Sequence, residues 1–379
     1  MPTTLRGLPL EDSLALSWDF ENGTSPQSFN GWSAELVSGT PHFAEGLHGR
    51  GVLIEEASRN LLAPTAANCS DATAFTARNG ATLAVEKGDA FTSLRVRADG
   101  KTPLQGVEAK AKYSALEGDP WGAARQEAGQ WAVASLEIGG QGRVAVQLLD
   151  ETNTVIGAPL YLDLQPEMTR VATPPIGIVV PGGELRLRIS AVDGSPLDFR
   201  MNRLQIEPLP TATSWLPGGT TRGDEALEFA PSSAQGNLQN GTLLMWVKPH
   251  WDNLTIPAMR EGKKIWTRAF FTFPDSGPGV ALSWSIYGTL SAGGALLGGT
   301  DMLHGGWHLI AYSWQGKNGT LYFDGHTKTT TIRPIPNNAK LSFGPRLNAT
   351  LDEIALLSAP LSKEQLDAIF AAGKDPKTP

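Results

Sequence analysis

Cysteine is almost missing from this sequence. Cys69 is the only one in 379 residues, so no internal disulfide framework can hold the chain, and stability must come from burial. Charge is sparse as well: Asp, Glu, Lys and Arg make up 18%, with a formal net charge of -7 and a pI near 5.5. No basic face is left to neutralise phosphates, which argues against nucleic acid as the main partner. Uninterrupted apolar stretches of membrane-spanning length are lacking, so no membrane insertion is expected. The start MPTTLRGLPLEDS has no basic segment followed by an apolar run. Intracellular synthesis without a signal peptide is the expectation.

What is abundant is turn chemistry. The chain has 42 Gly and 27 Pro, with 41% hydrophobic residues, the composition of a globular protein made of short strands. Its length exceeds one ordinary core, which predicts two domains or more. SLALSWDF alternates apolar and small or polar residues, as do the runs at 143–149 and 185–189. Such period-2 patterns predict antiparallel sheets with one dry face and one wet face, the arginines of LRLRI pointing outward. Six N-x-S/T sequons, at Asn22, Asn68, Asn240, Asn253, Asn318 and Asn348, read mostly as turns, and Asn318-Gly319 as a hairpin turn. SKEQLDAIFAAG predicts the one helix, with Ser362 as N-cap, Leu366, Ile369 and Phe370 on one face, and Gly373 at its stop.

Two ordered phrases near the C-terminus carry a family resemblance. GGWHLIAYSWQGKNGTLYFDG is similar to the tryptophan-led strand, hairpin and following strand of concanavalin A-like, laminin-G-type sandwiches, and ATLDEIALLSAPLSKEQLDAIFAAG resembles their closing strand and terminal helix. TLLMWVKP and EALEF resemble earlier strands of that fold. Its opening strands resemble SLALSWDFENGT and EGLHGRGVLIE, far upstream. The resemblance therefore implies an all-β protein of two antiparallel sandwiches (jelly rolls), one inserted in the other, with one short C-terminal helix. An N-terminal arm of residues 1–11 would precede a sandwich made of 12–60 plus 211–373. Residues 61–208 would be an inserted, carbohydrate-binding-module-like sandwich, and 374–379 a tail. The series GVLIEEASRNLL, jelly-roll module, LQIEPLPTATSWLPGGTTR resembles bacteriophage structural proteins, which implies a place on the virion surface.

Catalytic patterns are missing. Glucanases of this fold carry a Glu-x-Asp-x-x-Glu strand, and none is present. Asp352 and Glu353 adjoin, and strand alternation would send them to opposite faces, which suits a structural role. There is no G-x-S-x-G, and the six histidines are scattered, so Ser-His-Asp chemistry is unsupported. His308 is expected to pack or to hydrogen-bond within a strand. Trp18, Trp246, Trp284, Trp307 and Trp314 sit in strand patterns and are expected in the core. Trp251 with Asp252 and Asn253, in a loop, combines an aromatic platform with hydrogen-bonding groups as sugar sites do, and Trp121 is a second candidate. The alternative is that these are capping loops. Laminin-G-type domains often bind calcium, which makes Asp252, Asp275 and Asp301 possible oxygen donors, although no compact ligand set is visible and no other cofactor is implied.

The expectation is a non-enzymatic virion protein, either a head decoration or fibre or a tail-associated adhesin. Its partners would be other virion proteins, copies of itself and cell-surface glycans. A carbohydrate-active enzyme and a free lectin module are the alternatives.

Overall fold

The computed structural model describes residues 5, 10, 12–40, 42–113, 130–178, 183–209, 211–231, 239–250, 267–272, 281–285, 289–292, 295–298, 306–331, 340–344 and 347–374. They form a mostly β protein of antiparallel, sandwich-type sheets with a short helix near the C-terminus. Among them, residues of Met1–Glu56, Asp224–Leu254 and Ile265–Pro379 make one compact unit and those of Ala57–Gly223 another.

The first unit is organised around the strand Ala349–Leu357, every residue of which is buried. Leu14–Trp18 lies on one side of it and Asn240–Pro249 on the other, and Arg50–Ile54 pairs with its first half. Alternation explains why both faces are dry. Leu243, Met245 and Val247 enter a core with Trp18, Phe229 and Phe343, where the three rings meet edge to face at 5.2 to 5.8 Å. Leu244 and Trp246 point the other way, onto Leu366 and Ile369 of helix Lys363–Lys374. The second sheet of this unit runs from Ala295–Gly298 through Thr267–Thr272 and Leu227–Pro231 to Ala34–Ser38.

The helix begins as its sequence predicts. Ser362 Oγ accepts the Gln365 N–H, and the Gln365 side chain accepts the Ser362 N–H, a reciprocal cap. Its end differs from expectation, because the helix runs through Gly373 to Lys374. A Cβ on Gly373 would lie 2.1 Å from the Trp246 ring, so this glycine permits close packing and does not stop the helix. A further four-residue helix, Pro64–Ala67, lies in the second unit.

The expected hairpin turn also shifts. Gln315 pairs with Asn318, so the two-residue turn is Gly316-Lys317, with Gly316 at φ +58°. A glycine at the first central position meets the requirement of the mirror-image turns that suit twisted hairpins.

The second unit packs a five-stranded sheet, in the order Val155–Asp163, Arg143–Leu149, Glu184–Ala191, Gly106–Lys112 and Phe75–Arg78, against a six-stranded one. Here the expected wet face of LRLRI is only partly wet. Arg188 is buried and bonds Glu108, itself 2% exposed, through its Nε at 2.5 Å. A buried charge needs such a partner. The boundaries of this unit, 56/57 and 223/224, lie outside the expected 60/61 and 208/211. Ser58–Arg59 pairs with Thr221–Arg222, and the Asn60 amide donates to Leu204 O and Leu216 O. These bonds hold both flanks to the second unit. No described helix is long and apolar enough to cross a membrane.

Candidate functional site

Four neighbouring strands of the six-stranded sheet, Gln130–Gln141, Leu197–Glu207, Thr92–Ala98 and Thr82–Lys87, build an open polar face. In Thr92–Ala98 and Leu197–Glu207, Leu94, Val96, Leu197, Phe199 and Met201 point inward and are at most 2% exposed. Period-2 alternation then turns Arg95, Arg97, Asp198 and Arg200 outward. Register sets Arg200 opposite Arg95 and Asp198 opposite Arg97, while Thr82–Lys87 brings Glu86 alongside.

The charges are interlocked. Arg95 Nε and Nη2 bond both oxygens of Asp198 at 2.7 Å, and its Nη1 bonds Glu86 at 3.0 Å. Arg200 Nε bonds the other Glu86 oxygen at 2.6 Å, and Arg97 Nε reaches Asp198 at 3.3 Å. Hydrogen bonds from Arg95 and then Arg200 hold the Glu86 carboxyl below its usual range, and those from Arg95 do the same for Asp198. Both carboxylates are therefore ionised at neutral pH.

Beside this network lies a depression of about 240 Å³, lined by Arg95, Asp198 and Arg200 together with Gln141, Pro166 and Met168. Its floor is glycine for a steric reason. A Cβ on Gly139 would lie 2.5 Å from Glu167 O, and one on Gly140, at φ +145°, 2.4 Å from Asp198 O. Only glycine lets the 165–168 segment and the neighbouring strand come so close to this one. The Gly140 N–H donates to Gln165 O at 2.6 Å, which fixes that segment over the floor.

The other end of the same sheet is closed. Gln205 accepts the Leu216 N–H at 2.7 Å, and Glu207 accepts both the N–H and the hydroxyl of Thr213 and the hydroxyl of Ser58. Burial pushes the Glu207 carboxyl up, against those hydrogen bonds. Between the two ends Arg203 bonds Glu137 at 2.7 Å and stacks over exposed Phe91 at 3.8 Å. The open end offers hydrogen-bonding groups, a guanidinium and a short apolar wall, the mix of a small-molecule site. Among the described residues that line it there is no nucleophile with an adjacent base.

A second cluster lies in the first unit. Nδ1 of His42 is 3.1 Å from Glu225 and 3.9 Å from Glu55, and the ligand atoms of the three lie within 4.8 Å of one another. The Glu55 N–H donates to the Glu225 carboxylate, and the Glu225 N–H to Glu55 O. One imidazole and two carboxylates are a donor set that divalent metals accept. No sequence signal marks it, because its members are up to 183 residues apart in the numbering, from His42 to Glu225.

The sequence candidates Trp251, Asp252, Asn253 and Trp121, and the calcium candidates Asp275 and Asp301, lie outside the described residues. Of the core tryptophans, Trp18, Trp246 and Trp314 are each 1% exposed, Trp307 is half-buried, and the side chain of Trp284 is outside the described set. His308 bonds Asp324 at 2.7 Å and stacks on Phe323. Asp352 and Glu353, expected in a structural role, lie in a strand that is buried throughout. Glu353 sits at φ +50° in a bulge opposite the Leu244–Trp246 segment, and both residues are buried. Asp352 accepts the N–H groups of His48 and Glu353, and desolvation pushes its carboxyl up to about 8.

Residues 221–367 match the Concanavalin A-like lectin/glucanases superfamily in its laminin G family. A comparison with curated proteins finds no match. Among solved structures the chain is similar to the CBM22-1 xylan-binding domain of Paenibacillus barcinonensis Xyn10C, with 11% identity over 46% of this chain and 100% of that one, at a TM-score of 0.26. It is also similar to the mannan-recognising module TmCBM27, with 13% identity over 45% and 99% of the two chains, at 0.26. A third similarity is to the arabinose-bound arabinofuranosidase MgGH51, with 15% identity over 50% of this chain, at 0.31. The match spans 32% of that enzyme's length. Similarities this distant bear on neither ligand nor activity.

Proposed function

We propose that this chain is a non-enzymatic, sugar-binding adhesive protein of a bacteriophage particle surface, a head decoration or fibre or a tail-associated component. The observation that carries the sugar-binding part is the glycine-floored depression beside Arg95, Asp198 and Arg200. Pro166 and Met168 offer a small apolar wall for the CH face of a pyranose, while Gln141 and the guanidinium groups offer hydrogen bonds to its hydroxyls. Its 240 Å³ falls below the roughly 300–1,000 Å³ of drug-sized pockets and suits one sugar ring.

A binding role fits the electrostatics better than hydrolysis. A glycosidase needs one carboxyl that keeps its proton. Asp198 and Glu86, beside the depression, are both driven towards the ionised form by Arg95. Placement on a particle rests on GVLIEEASRNLL and LQIEPLPTATSWLPGGTTR and their likeness to phrases of phage structural proteins. Many copies on a particle would turn a weak single site into avidity, which makes self-association part of the proposal.

A glycan array probed with the full chain, with reducing-sugar release measured on the same glycans, tests the binding claim. Binding without turnover is the expected result, and turnover would replace it with an enzyme. Mass spectrometry of purified particles tests the placement, and absence of the chain from them would leave a free lectin module.

A further inference from the structure

Arg95 and Arg200 wall the same depression but are not in the same state. Arg95 spends its Nε and both terminal nitrogens on Asp198 and Glu86 and is 25% exposed. Among the described contacts Arg200 uses its Nε alone, on Glu86, and is 56% exposed. Its two terminal nitrogens therefore remain as a planar fork at the rim of the depression. Asp198 is already engaged elsewhere, with both of its oxygens accepting from Arg95 and one also from Arg97, and among the described contacts it makes no bond to that fork.

Charge counting points the same way. Arg95, Arg97 and Arg200 face only Glu86 and Asp198 across this network, leaving one positive charge in excess. A guanidinium fork matches a carboxylate with two parallel N–H···O bonds, a geometry that a neutral hydroxyl cannot use as fully.

We infer that the depression selects acidic saccharides, with a sugar carboxylate on the terminal nitrogens of Arg200 and the ring against Pro166 and Met168. This rests on the sugar-binding reading above and goes beyond it in naming the ligand class. Arg95 acts as a positioning residue: it holds Asp198 and Glu86, and Glu86 in turn fixes the Nε of Arg200.

The test is an array of uronate- and sialate-containing oligosaccharides, each printed beside its carboxyl-reduced counterpart, probed with the full chain and with Arg200→Gln and Arg200→Lys. Binding should fall among the acidic members, drop about tenfold or more on carboxyl reduction and on Arg200→Gln, and weaken as salt rises, as expected for an exposed charge pair. Arg200→Lys should recover part of the affinity, since it restores the charge without the fork. Equal binding of the acidic and reduced partners by the unaltered chain would overturn the acidic selectivity and leave the sugar site standing. Binding of no saccharide at all would overturn both.

Discussion

Arg188 Nε meets Glu108 Oε1 at 2.5 Å inside the second unit, where the two side chains are 9% and 2% exposed. Arg78 stands 3.6 Å from the same carboxylate oxygen but is 36% exposed, so Arg188 is the partner that the interior depends on. Removing one member of a buried pair strands the other, at a cost of about 3–5 kcal/mol. Arg188→Ala should lower the unfolding free energy measured in urea by an amount in that range, softened by Arg78, with the midpoint falling accordingly. The double change Glu108→Gln with Arg188→Met should regain most of it. Equal midpoints for the single variant and the parent would remove the pair from the stability of this unit.

The carboxyl of Asp352 gives stability a pH signature. Burial raises it to about 8, against about 3.9 in an unfolded chain. Between those values the folded state binds more protons than the unfolded one, so this group makes stability fall as pH rises from about 4 to about 8. Asp352→Asn should lack that component. Urea midpoints of both proteins across this range should converge or cross as pH rises, and a constant offset would refute the assignment.

Gly373 has no room for a methyl group. Gly373→Ala would set a carbon 2.1 Å from the Trp246 ring, and Trp246 is 1% exposed with Phe370 stacked on it. Overpacking of this kind costs about 1–3 kcal/mol. Thermal melting should show the loss, and the indole fluorescence should shift as the ring is displaced.

The flanks of the second unit suggest a test of its independence. Thr221 pairs with Arg59 and Arg222 with Ser58, so its two ends emerge side by side. Residues 57–223 expressed alone should unfold cooperatively in urea. Deleting them with a short Gly-Ser bridge should leave a folded first unit, because its sheets draw on Leu14–Trp18, Ala34–Ser38 and Arg50–Ile54 as well as on the later strands. A C-terminal half lacking residues 1–56 should fail to fold. Cooperative unfolding of that truncated half would show that the early strands are dispensable.

Much of the fold was legible because its signals are local. Period-2 alternation marked strands such as Arg143–Leu149 and Leu14–Trp18, and SKEQLDAIF showed both the capped start and the buried face of the helix. At two positions where local signals misled, a long-range neighbour was the cause. Gly373 reads as a helix stop until Trp246 is placed beneath it, and Arg188 reads as solvated until Glu108 arrives from 80 residues away.

The candidate site shows the same division more sharply. Tryptophans and loop carboxylates drew attention in the sequence because their chemistry is conspicuous one residue at a time. The depression beside Arg200 is made of residues that are ordinary alone, with Asp198 and Arg95 103 positions apart and two glycines that matter only because other backbones cross them. By itself the sequence determined the strand class, the turn positions to within a residue or two and the helix, since each depends on backbone preferences and nearest neighbours. Only the tertiary structure decided which charges are neutralised and which guanidinium keeps an open fork, because electrostatic pairing and steric closure depend on distances in space that no spacing along the chain records.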